Sequence, residues 1–95
     1  MENKKILTEP ILKKEEIHKR FGKECYHVVQ HTGESFWHVI IRIGYKINIE
    51  EFQDEENLIC VCYNRLPLGK LITKDFNDMD LALNFLVENT TIKED

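Results

Sequence analysis

The clearest pattern along the chain is the alternation between Cys25 and Ile47, CYHVVQHTGESFWHVIIRIGYKI, where two β-rich runs flank Thr32-Gly33-Glu34-Ser35. Gly33 suits the first central position of a two-residue type II′ turn, which predicts a hairpin closed by Thr32 and Ser35. Counting outward gives the register: Gln30 faces Trp37, Val28 faces Val39 and Tyr26 faces Ile41 on one surface. On the other, His31 faces Phe36, Val29 faces His38, His27 faces Ile40 and Cys25 faces Arg42. The odd positions Trp37, Val39, Ile41, Ile43, Tyr45 and Ile47 form an unbroken apolar row, so this row, with Val28 and Tyr26, is expected to face the core.

The remaining elements follow from the same reading. Thr8 caps an expected first helix over 9–21, with Pro10 in its first turn, Leu7 and Leu12 as staple positions, Ile17 and Phe21 on one face, and Gly22 as the stop. NLICVCYN, 57–64, is apolar on both faces and reads as a central third strand. RLPLG turns the chain and KLIT offers a short fourth strand. A last helix is expected over 78–89, capped by Asp75 or Asn77, with Met79, Ala82, Leu83 and Leu86 facing inward and Leu81 and Phe85 broadening the stripe. INIEEFQDEEN, 47–57, reads as a connection. The fold class is therefore α+β, an antiparallel meander of three to four strands between an N-terminal and a C-terminal helix. The last helix is expected on Trp37, Val39, Ile41 and Ile43, and the first on that layer or on the opposite face. Residues 1–7 and 90–95 read as flexible ends around a single domain, 8–89.

Composition narrows the function classes. Ninety-five residues with 42% hydrophobic content support one modest core. No apolar run approaches the roughly 20 residues of a membrane span, and MENKKILTEP lacks the apolar stretch of a signal peptide, so a cytoplasmic protein with no membrane partner is expected. The net charge of -4 gives no general pull toward nucleic acid. Basic residues do gather at Lys13, Lys14, Lys19, Arg20 and Lys23, but Glu15, Glu16 and Glu24 interrupt them, as on a solvated helix face. The abundance of Lys, Ile, Asn and Glu fits an AT-rich genome such as that of a low-GC bacterium or its phages.

Candidate chemistry is sparse. Cys60 and Cys62 point to one side of a strand with Cα atoms about 6.6 to 6.8 Å apart, at the outer limit for a disulfide, and read as packed core residues. His38 lies between His27 and His31 on one hairpin face and with either could hold a transition metal, though no carboxylate on that face completes a site. With Val29, Phe36 and Ile40 this face is too apolar for water and too polar for an ordinary core, so the first helix, a second copy or a partner protein must cover it. The expected partner-binding set is therefore His27, Val29, His31, Phe36, His38, Ile40 and Phe52. Glu50, Glu51, Asp54, Glu55 and Glu56, five acids in seven positions, form an acidic patch that either is solvated or docks a basic partner. They lack the glycine and alternating ligands of a calcium loop. No phosphate loop, serine elbow or activated cysteine is present, and neither an enzyme nor a cofactor is expected.

The order helix, three strands, helix resembles the double-stranded RNA-binding domain in topology. The resemblance implies RNA contacts from basic residues at the start of the last helix. That stretch here is Asp75, Phe76, Asn77, Asp78, Met79 and Asp80, which repels phosphate. The sequence thus points to a small protein-binding regulator, inhibitor or accessory factor, of phage or mobile-element type. The alternatives are a nucleic-acid-associated module using the basic first helix, and a metal-sensing homodimer.

Overall fold

The computed structural model describes residues 9–52 and 58–91. Helix α1, Lys14–Phe21, precedes five strands, β1 Tyr26–Thr32, β2 Ser35–Arg42, β3 Tyr45–Phe52, β4 Ile59–Arg65 and β5 Ile72–Phe76, and helix α2, Met79–Asn89, closes the body. The strands form one antiparallel sheet in the order of the sequence. The α+β meander between two helices is as expected, with five strands in place of three or four, and in place of the three that the double-stranded RNA-binding resemblance implies.

The first hairpin has the register counted from its turn, Tyr26 opposite Ile41 through to Thr32 opposite Ser35, with Gly33 at φ 59°. The second turn departs from the expected pattern. Strand β2 ends at Arg42, and Gly44 at φ 79° lets the chain reverse in two residues so that Arg42 pairs with Tyr45. What reads as one long apolar row is therefore two strands, and the acid-rich stretch read as a connection supplies β3 up to Phe52.

This reversal decides which face is the core. Across a two-residue turn the partners have opposite parity, so the even positions of β2 share a face with the odd positions of β3. Ile40 lies opposite Ile47, which lies opposite Tyr63, and His38 opposite Ile49, which lies opposite Val61. Ile40, Ile47, Ile49 and His38 are fully buried, and Val61 and Ile59 nearly so. The expected core row is the other one: Ile41 is 39% exposed and Ile43, in the turn, 74%. The helices pack on Ile40, Ile47, Ile49 and Val61 rather than on Trp37, Val39, Ile41 and Ile43.

Helix α2 contributes Ala82, Leu83 and Leu86 to this core, while Phe85 packs edge-on to Tyr63 and beside Phe76. Asp78 is its N-cap residue, in place of Asp75 or Asn77, and Leu81, expected to broaden the stripe, is exposed. Thr90, assigned to the tail by sequence, is buried; its hydroxyl donates to the Leu86 carbonyl and accepts from Arg42. Helix α1 is much shorter than the expected 9–21, because residues 9–13 run in irregular backbone and seat Leu12 in the core. It buries Ile17 and Phe21 and stops at Gly22, φ 106°, as expected. Arg20 joins the two helices through Glu16, Asn84 and Asp80. Thr8, Leu7 and the terminal segments 1–8 and 92–95 lie outside the described residues.

The face assignment has a direct test. Ile40→Ala should cost about 2 to 5 kcal/mol of unfolding free energy, whereas Ile43→Ala should stay within about 0.5 kcal/mol of the parent. Urea denaturation of both variants measures this; equal losses contradict the assignment.

Candidate functional site

The even-numbered face of β2 brings together groups that the sequence suggests only in part. Glu51 on β3 stands opposite Phe36, two residues along from the Ile49 that faces His38, and both Glu51 and His38 are buried. His38 Nε2 lies 2.6 Å from Glu51 Oε2, and His38 Nδ1 lies 3.0 Å from His27 Nε2. The Glu51 carboxylate also accepts the backbone N–H of Ile11 at 2.8 Å and of Leu12 at 3.0 Å. Both Glu51 oxygens are thus met by N–H donors, and His38 adds its own by donating through Nε2. With His38 neutral, its Nδ1 then accepts, and His27 donates through Nε2. The result is a relay from Glu51 through His38 to His27, which is half-exposed at the edge strand.

A metal ion does not fit this relay as it stands. The His27 and His38 rings are near parallel, 10° apart, with centres 5.2 Å apart. That separation is close to the N···N distance plus the two ring radii, so the rings lie end to end with their facing nitrogens aimed at one another. A single ion needs two lone pairs that converge on a common point at about 2.0 to 2.1 Å from each. His31, the other proposed partner of His38, stacks instead on Phe36, with centroids 4.5 Å apart. Among the described residues no group of three or more His, Cys, Asp or Glu side chains is arranged for a metal.

The expected partner-binding set is thus divided by the fold. Phe36, His38 and Ile40 are buried within the chain itself, Ile40 in the core that the helices share. His27, Val29 and His31 lie on the same face but on the edge strand, where Val29 is 40% exposed. Phe52 is half-buried at the end of β3 and borders a cavity of about 210 Å³ with Ile11, Leu58 and Met79. The acidic patch is divided as well: Glu51 is buried, Glu50 lies on the opposite face and accepts from the Ser35 hydroxyl, and Asp54, Glu55 and Glu56 lie outside the described residues. On the basic helix, Lys13 pairs with Glu9, and Arg20 with Glu16 and Asp80.

The opposite face of the sheet carries no described helix. Tyr26 pairs with Ile41, Val28 with Val39 and Gln30 with Trp37, which makes an apolar cluster two strands wide. Tyr26 is 57% exposed, Val28 and Ile41 are each 39% exposed, and Trp37 and Val39 are half-buried. Lys46, Asn48 and Glu50 of β3 border it, followed by Cys62 and Cys60 of β4. The cysteines are free and half-buried on this outer face rather than in the core. Burial, then the hydrogen bond to Asp75 and the charges of Asp75 and Glu50, push the Cys60 thiol up to about 11, so it stays protonated at neutral pH. Sequence reasoning places the same side chains in this cluster but turns them inward. No helix among the described residues is long and apolar enough to cross a membrane. No protein-family model, curated protein or solved structure matches the chain.

Two measurements probe the relay. Glu51→Ala leaves the His38 ring and two backbone N–H groups without their acceptor, and should lower stability by about 3 to 5 kcal/mol in urea unfolding. A loss under about 1 kcal/mol would mean that the carboxylate is not enclosed as described. His27 is held down to about 4 by burial, then by the charges of His38, His18 and Lys14. Its unfolded value is about 6.5, so the unfolded chain takes up the proton first as pH falls. The stability that neutral His27 contributes is complete above about pH 6.5 and is lost between there and about pH 4. Unfolding curves across that range should fall more steeply for the parent than for His27→Gln; parallel curves would mean that His27 contributes no such stability.

Proposed function

We propose that the chain acts by binding another protein through the open face of its sheet, as a small regulator, inhibitor or accessory factor. The single observation behind this reading is the cluster Tyr26, Val28, Trp37, Val39 and Ile41, which lies on the face away from both helices. Exposed apolar clusters with polar borders mark interaction surfaces, and Trp and Tyr are the side chains that most often anchor them. The cluster has this form: apolar on β1 and β2, then Lys46, Asn48 and Glu50 on β3 as a polar rim. The cores of protein interfaces are poor in charge in the same way.

The chemistry of the partner surface follows from this. An apolar centre on the partner would meet Val28, Val39 and Ile41, and groups able to pair with Lys46 and Glu50 would surround it. The test is a comparison of immobilised parent and Ile41→Glu protein as bait in extract of the native host. The carboxylate introduced by Ile41→Glu would face Lys46 across the β2–β3 pair, so the fold accommodates it. A partner retained by the parent and lost by Ile41→Glu, at unchanged unfolding midpoint, supports the reading. With that partner purified, Trp37→Ala should weaken binding by roughly 30-fold or more, which is about 2 kcal/mol. Equal retention by both baits contradicts it.

A further inference from the structure

Strand β1 is one edge of the sheet, and among the described residues it pairs only with β2. A two-residue turn places its hydrogen bond between the closing residues, here Thr32 and Ser35, and ladder bonding then alternates along the strand. Gln30, Val28 and Tyr26 therefore direct their N–H and C=O groups to β2, and His27 and Val29 direct theirs away from the sheet. Natural edges are guarded by lysine, proline, a bulge or shortness. The other edge, β5, is five residues long and carries Lys74 and Asp75. β1 is seven residues, YHVVQHT, with no charged residue or proline, and pairs with β2 through seven consecutive positions without a bulge.

We propose that β1 is the dimerisation edge of this protein, joining a second copy antiparallel to itself so that two five-stranded sheets become one continuous sheet. Among the antiparallel registers open to the outward groups of β1, the one centred on Val28 has His27 of one copy exchange hydrogen bonds with Val29 of the other, twice over by symmetry. Val28 then meets its own copy across the two-fold axis. That meeting is a non-hydrogen-bonded pair, in which side chains approach most closely, and it falls on the open face where Val28 is 39% exposed. An isologous contact sets like against like near its axis, so charge there would be repelled, and β1 has none. The strand YHVVQHT carries no lysine, arginine, aspartate or glutamate, so a second copy meets it without like-charge repulsion, and a second copy is the occupant we assign. Dimerisation also places the two apolar clusters side by side on one surface. The inference rests on the backbone of the strand edge and shares only Val28 with the open-face cluster.

Val29→Pro separates the two. Proline at 29 removes an N–H that points away from β2, so the β1–β2 ladder is untouched while the edge loses a donor. Sedimentation velocity of the untagged full chain at micromolar concentrations should give twice the 11.3 kDa chain mass for the parent. It should give the monomer mass for Val29→Pro at an unchanged far-ultraviolet spectrum, with Ile41→Glu still dimeric. A parent that is monomeric throughout, or a Val29→Pro protein that remains dimeric, overturns the proposal. If Val29→Pro does not fold, residue-resolved amide exchange of the parent decides: protection of the His27 and Val29 amides that rises with concentration supports the edge contact, and exchange independent of concentration overturns it.

Discussion

The buried carboxylate of Glu51 is the constraint on which the rest of the structure depends. It accepts from His38 on the neighbouring strand and from the backbone of Ile11 and Leu12, which lie forty and thirty-nine positions earlier. A charge removed from water is tolerated only when its lone pairs are met by donors in good geometry, and here three N–H groups converge on it. Those contacts explain why α1 begins at Lys14. The amides of Ile11 and Leu12 are committed to Glu51, Leu12 is drawn into the core, and the helix starts only afterwards, with the Lys13 carbonyl accepting from Glu16 and Ile17.

Once Glu51 and His38 face inward, the outer face is determined. Both rows of β2 are apolar enough to be core, Phe36 and Ile40 on one side and Trp37, Val39 and Ile41 on the other. The choice is made by β3 and β4, where Ile47, Ile49, Val61 and Ile59 all lie on the Glu51 side and Asn48, Glu50 and Cys62 on the other. The two helices can cover one side of a five-stranded sheet, and they cover the side with the longer apolar run. Trp37, Val39 and Ile41 are left with their β1 neighbours as an outer cluster. The exposed cluster is thus a consequence of which side the apolar residues of β3 and β4 occupy.

Much of this is legible in the sequence, with one instructive inversion. The register of the first hairpin follows from Gly33 and alternation because a two-residue turn leaves no freedom in the pairing. The end of α1 at Gly22 and the inward Ala82, Leu83 and Leu86 of α2 follow from helical spacing. The face is inverted because the apolar row of odd positions continues through Ile43 and Tyr45 without a break. Only the turn at Gly44 reveals that its two halves lie on opposite sides of the sheet. His38 and Glu51 reinforce the inversion, since a lone histidine and an acid read as surface residues until their pairing across β2 and β3 is seen. The short Ile43-Gly44 turn is the available signal, and it places both side chains on one face.

The most direct measurement is the nitrogen-15 NMR spectrum of the histidine imidazoles in the native protein near neutral pH. The buried relay predicts that His38 carries a proton on Nε2, hydrogen-bonded to Glu51 and slow to exchange with water, with its Nδ1 coupled to His27. A His38 ring whose Nε2 is bare, or whose proton exchanges as fast as that of a surface histidine, would contradict it. In that event Glu51, His38 and His27 would not form the enclosed hydrogen-bonded row described.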